Sequence, residues 1–90
     1  MLERWCVYFT GQVQGVGFRY TAIQCSRKHP ITGWIQNLND GRVQLLAEGK
    51  PPELQIFVDE LCLATHGNVN GLEIRREQPS GEFHDFRVLT

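Results

Sequence analysis

The chain has no excess of charge of either sign. Nine Lys plus Arg stand against ten Asp plus Glu, a net charge of −1, so there is no broad electrostatic footprint for nucleic acid or an anionic membrane, and a bound anion has to be held locally. No apolar run approaches the roughly eighteen residues that a membrane span needs. No Asn-x-Ser/Thr sequon occurs, and the residues ahead of Cys6 do not read as a signal peptide, so none is expected. Cysteine is scarce and odd in number: Cys6, Cys25 and Cys62 are widely spaced and form no Cys-x-x-Cys pair. A disulfide framework is therefore not expected, a reducing cytoplasm is the expected home, and the thiols are expected to pack as small hydrophobes rather than act as nucleophiles. His29, His66 and His84 show no ligand spacing with one another or with the cysteines, so no metal is expected. Internal repeats, low-complexity runs and linkers are also absent, and 90 residues are enough for one core and too few for two.

What is present is regular. Trp5 to Thr10 alternates Trp5, Val7 and Phe9 against Cys6, Tyr8 and Thr10, the period of a first strand. Phe18 to Lys28 reads as a helix with Phe18, Ala22 and Cys25 on one stripe, stopped by Pro30. Gly33 to Leu38 and Arg42 to Glu48 read as two strands around the turn Asn39-Asp40-Gly41, with Val43, Leu45 and Ala47 on the covered side and Leu46 as an apolar exception on the polar side. A second helix begins near Pro52 and carries Leu54, Phe57, Val58 and Leu61 at helical spacing, and Gly67 suits its end. Val69 to Glu77 reads as a fourth strand and Phe83 to Leu89 as a short last one. The order is β-α-β-β-α-β with an extra C-terminal strand. The expected class is α+β, a split βαβ sandwich with two helices on one face of an antiparallel-rich sheet. That layout hosts binding, regulatory and catalytic modules alike, so function rests on the site.

The stretch Gly11-Gln12-Val13-Gln14-Gly15-Val16-Gly17-Phe18-Arg19 has three glycines in seven residues and ends in an arginine at the start of a helix. Glycines at positive φ let successive N–H groups converge on one point, and a helix N-terminus favours an anion. Arg19 adds a planar fork that matches two phosphoryl oxygens. The loop is equally compatible with a tight strand-to-helix turn and a solvated arginine. It is not a dinucleotide loop, because Tyr20 stands where the third glycine belongs, and no Gly-Lys-Ser/Thr follows for a Walker loop. Asn37, at a strand end just before the turn, offers both a donor and an acceptor, but taken alone it reads more readily as a polar residue flanking a turn.

Together with Gly33-Trp34-Ile35-x-Asn37, Asp40-Gly41-x-Val43 and Glu48-Gly49, that loop resembles the acylphosphatase family over nearly the whole chain. The resemblance implies a single acylphosphatase-like domain over residues 1–90 with a ferredoxin-like fold. It further implies a metal-independent hydrolase of carboxyl phosphates that uses no cofactor. Arg19 would be the phosphate-binding arginine, Asn37 the residue that orients water, and Gln14, Gly15, Val16, Gly17 and Phe18 the phosphate cradle. The implied partners are a small-molecule acyl phosphate and inorganic phosphate, as product and competitive inhibitor, with no nucleic acid or membrane and a monomeric chain. The sequence departs from the family at Lys28-His29-Pro30-Ile31, where a leucine and glycine often end the helix, at Thr65-His66-Gly67, where a Gly-Pro pair is common, and at Leu38, where some members have threonine. These positions govern how elements join.

Three alternatives share the layout. An RNA-recognition motif needs aromatic residues on its third strand, and Arg42-Val43-Gln44-Leu45-Leu46-Ala47-Glu48 has none. A non-catalytic small-anion binding or regulatory domain would keep the cradle but have little use for Asn37. The front domain of a larger carbamoyl-phosphate-processing enzyme also resembles this chain, and a chain ending soon after Phe86-Arg87-Val88 is expected to stand alone. No stretch of the sequence identifies an acyl pocket.

Overall fold

Strand β1 (Glu3–Gly11) is the axis of the sheet, because its alternation places Trp5, Val7 and Phe9 inward with almost no exposure. The computed structural model describes residues 1–15, 17–65 and 67–89, so Val16, His66 and Thr90 lie outside the described residues. β1 pairs antiparallel with β3 (Val43–Gly49) on one side and β4 (Val69–Glu77) on the other. β2 (Thr32–Asn37) runs antiparallel to β3, and β5 (Phe86–Val88) lies parallel to β2 at the far edge. The order across the sheet is β4-β1-β3-β2-β5. Two helices, α1 (Phe18–Ser26) and α2 (Pro51–Ala64), complete the described elements. This is the ferredoxin-like layout with the extra strand.

Register explains the core. Trp5, Val7 and Phe9 stand opposite Ala47, Leu45 and Val43, and Ile35 stands opposite Leu45, so one sheet face is continuously apolar. Against it pack Phe18, Ala22 and Cys25 of α1 and Leu54, Phe57, Val58 and Leu61 of α2. Burying each large side chain of this kind contributes about 1.5–3 kcal/mol. Leu46, the apolar exception, pairs in register with Cys6 and Trp34, which forms a small apolar row on the other face.

Cys6 and Cys25 are buried, Cys62 is half-buried, and all three are free thiols. Burial raises the pKa of Cys25, with the Glu60 carboxylate adding to it, and burial likewise raises that of Cys62. Both therefore stay protonated and pack, as small hydrophobes do.

Several boundaries differ from the sequence expectation. Helix α1 stops at Ser26 instead of Lys28, because Lys28 N–H turns back to Cys25 O (3.0 Å) and His29 N–H to Ser26 O (3.3 Å), tightening the last turn before Pro30. The last strand is only Phe86–Val88, with Asp85 O accepting from Gly33 N–H at its entrance (2.9 Å). Glu48 belongs to the polar side of β3 yet is only 5 % exposed. Its carboxylate accepts from Ser80 N–H (2.7 Å), Ser80 Oγ (2.9 Å) and Gly81 N–H (3.0 Å). Burial alone would raise its pKa; the two backbone donors and the hydroxyl outweigh it and hold the carboxyl below the usual range.

Candidate active site

The loop between β1 and α1 leaves the sheet at a register shift between Thr10 and Gly11. A Cβ on Gly11, at φ 126°, would stand 2.2 Å from Asn68 O and 2.8 Å from Asn70 N, so only glycine lets the two backbones meet there. Gln12 N–H then donates to Asn68 O (2.9 Å), and Val13 plunges into the core. Gly15 and Gly17 are different. Their φ values are 78° and 79° with open space around each, so what glycine supplies there is the left-handed backbone.

Gly17 is the N-cap of α1, makes no side-chain cap, and is followed by a first turn without acidic residues. The first helical bond is Thr21 N–H to Gly17 O (2.9 Å), so the amides of Phe18, Arg19 and Tyr20 precede the helical ladder. That end of the helix is an anion-binding arrangement by its donors and its dipole. Phe18, 2 % exposed, fixes where the helix begins by packing on Phe9 with ring centroids 4.9 Å apart.

A cavity of about 550 Å³ opens here, with Gly15, Gly17, Phe18 and Arg19 among its lining residues. Of the residues singled out in the sequence, these four come together. Val16 lies outside the described residues. Asn37 does not line the cavity; it is the last residue of β2, opposite Val43, with its Oδ1 enclosed. What joins it to the loop is Gln14. The Gln14 Nε2 donates to Leu38 O (2.7 Å) and to Arg42 O (2.9 Å), the two carbonyls that close the β2–β3 turn directly beyond Asn37. The Gln14 side chain is thus committed to the hairpin.

The turn is held from its own side as well. Leu38 N–H donates to Arg42 O (2.8 Å), and Asp40 accepts from Arg42 N–H (3.1 Å) and Arg42 Nε (2.9 Å). The Arg42 backbone amide, helped by its guanidinium, holds the Asp40 carboxyl below its ordinary value. Sequence reasoning missed Val88, which lines the cavity because β5 runs parallel to β2 and sets Val88 beside Ile35. An apolar residue in a short terminal strand carries no signal of which edge it joins. Among the described residues no group of three His, Cys, Asp or Glu side chains converges as a metal site would require.

The sequence profile of the acylphosphatase family matches residues 5–88. The chain belongs to the acylphosphatase family. A relative named acylphosphatase from Syntrophus aciditrophicus is 38% identical over 90 residues, covering 99% of this chain and 94% of its own. The crystal structure of acylphosphatase from Bacillus subtilis superposes with a TM-score of 0.90 at 33% identity, each chain covered completely. An acylphosphatase from Coxiella burnetii superposes with a TM-score of 0.84 at 30% identity, over 97% of this chain and 92% of that one. Acylphosphatase membership spans both the loop and the hairpin, so the link that Gln14 makes lies within one family unit.

Proposed function

We propose that the protein is a hydrolase of acyl phosphates that grips the phosphoryl end of its substrate in the loop from Gln14 to Phe18, with Arg19 as the phosphate-binding cation and Asn37 as the residue that orients the attacking water. The observation that carries this reading is the uncapped start of α1 behind two left-handed glycines, with Arg19 lining the same cavity. The loop amides and the guanidinium hold the phosphoryl oxygens in place. Water oxygen bonds to phosphorus, and the bridging P–O bond breaks with its electron pair leaving on the carboxylate. The proton given up by the water goes to the phosphate itself, because an asparagine is no base near neutrality. A carboxylate leaves readily, so positioning and electrostatic stabilisation are enough for the rate. The reading needs no cofactor and takes every group from one chain. It places the enzyme in the cytoplasm as a monomer, which gel filtration tests; among the described residues no helix is long and apolar enough to cross a membrane.

The test is hydrolysis of an aryl carboxyl phosphate in EDTA by the parent, Arg19→Ala and Asn37→Ala, with and without added inorganic phosphate. Removing one preorganised donor costs about 10²–10³ in rate, so both variants should lose activity on that scale while keeping the parental circular dichroism and melting curve. Phosphate should compete with substrate in the parent and bind more weakly to Arg19→Ala. Full activity in Asn37→Ala would remove the water-orienting role. Phosphate binding without turnover in the parent would make the protein an anion-binding domain instead.

A further inference from the structure

The cavity at the loop does not end at the phosphoryl site. Its lining also takes in Tyr20, Ile23 and Gln24 of α1, Arg27 directly after the helix, and Val88 of β5. Its volume of about 550 Å³ falls in the range that encloses a whole small ligand, well beyond what a phosphoryl group fills. Arg19, in the first turn of α1, and Arg27, its C-cap, sit eight residues apart, which on a helix is roughly 12 Å along the axis and a little over two turns, with Ile23 midway in sequence.

The distribution of the arginines marks these two out. Of the seven in the chain, Arg4, Arg42, Arg75 and Arg87 each hold a carboxylate at 2.7–3.0 Å. Arg76 lies over Trp5 at 4.9 Å. Among the described residues Arg19 and Arg27 are in no ion pair, and both line the same cavity. One cavity is thus lined by two arginines eight residues apart and by the aliphatic side chains of Ile23 and Val88.

We infer that this groove is the acyl subsite and that Arg27 selects acyl groups carrying a terminal carboxylate a few carbons from the acyl carbon. The inference rests on the acyl phosphate reading above. The phosphoryl group would lie at Arg19, the short carbon chain against Ile23 and Val88, and the distal carboxylate at Arg27, whose planar fork donates two hydrogen bonds to it. Arg27 touches no reacting atom and acts on specificity alone.

Succinyl phosphate and butyryl phosphate test it, since they share a four-carbon chain and differ in the terminal charge. The readout is the ratio of their kcat/KM values within each protein. The parent should favour succinyl phosphate about fivefold, the upper size of an exposed charge pair, and the difference should reside in KM. Arg27→Gln should bring the ratio to about one and Arg27→Glu below one. Lys28→Gln removes a neighbouring cation that does not line the groove and should keep the parental ratio. Equal loss of preference in Lys28→Gln, or a ratio that ignores Arg27, overturns the subsite and leaves the activity standing. Failure to hydrolyse either substrate overturns the activity and the subsite with it.

Discussion

The two ends of helix α1 are built in opposite ways. At the N-terminus Gly17 caps nothing with a side chain, no acidic residue enters the first turn, and the leading amides precede the ladder. Around the C-terminus, Ser26 and His29 are instead bonded within the protein. Ser26 Oγ donates to Ile23 O (2.7 Å), and beyond the helix end His29 reaches Glu60 through Nε2 (2.6 Å) and Glu53 through Nδ1 (3.2 Å), both on α2. The same imidazole packs edge-on to Phe57. A helix end kept available for a ligand gains nothing from self-satisfaction, so its position must be secured elsewhere. Here it is secured by the Phe18–Phe9 contact, by Gln14 on the hairpin, and by the bolt at the opposite end.

If that division holds, changes near the open end should affect rate and changes at the bolted end should affect stability. Among changes to the framework around α1, the largest effect is expected from Gly17→Ala. A Cβ meets no atom there, yet the left-handed φ of 79° costs an alanine about 1–2 kcal/mol, and relief of that strain turns the amides away from their convergence. We expect kcat/KM for an aryl carboxyl phosphate to fall about a hundredfold, the scale of a small misplacement of positioning groups, with a modest drop in melting temperature. A parental rate would mean that the exact backbone at Gly17 is unimportant to the cradle.

A smaller effect, shared between rate and stability, is expected at Gln14. Gln14→Glu keeps the shape, removes both donors, and turns a charge toward two carbonyl oxygens, Leu38 O and Arg42 O. Each lost hydrogen bond is worth about 1 kcal/mol, so denaturant unfolding should show a loss of about 2 kcal/mol. Because Gln14 ties the loop to the strand bearing Asn37, kcat/KM should fall about tenfold. Gln14→Met loses the same two bonds without adding charge, so it should lose about 2 kcal/mol as well, and any further loss in Gln14→Glu reports the added charge. A change in stability with no change in rate would separate the hairpin from the site.

How far the sequence already disclosed this contrast depends on the kind of contact. Strand alternation in Trp5–Phe9 and Val43–Ala47 and the stripe Leu54–Leu61 are local periodicities, and they told both the layers and the core. The left-handed glycines Gly15 and Gly17 and the neighbouring Arg19 were legible because a glycine-rich strand-to-helix loop is a local motif. The bond from Gln14 to the hairpin spans 24 residues to Leu38 and leaves no periodic trace, which is why Gln14 read only as part of the loop. The same holds for Glu48, where the chain from Ser80 returns to bury what alternation marked as an ordinary polar position. The departure at Lys28-His29-Pro30-Ile31 was visible as a difference from the family, but its meaning depends on Glu53 and Glu60 of another helix.

His29 gives the smallest effect and the sharpest test of the bolted end. Hydrogen bonding to Glu60 raises its pKa, burial opposes this, and Glu53 adds to the rise. A histidine whose pKa is raised by folding stabilises the folded state fully below its unfolded value, about 6.5, and loses that contribution as pH climbs through the folded value. The ring is 12 % exposed and its partners 34 % and 36 %, so solvent screening limits the pair to about 1 kcal/mol. The gap in melting temperature between the parent and His29→Asn should therefore be widest near pH 6, where the imidazole is charged and the two carboxylates ionised, and should narrow toward pH 9. At one pH, kcat/KM of the variant should match the parent. A gap that stays constant with pH would mean that His29 acts through packing on Phe57 alone, and a large loss of rate would show that the two ends of α1 are coupled.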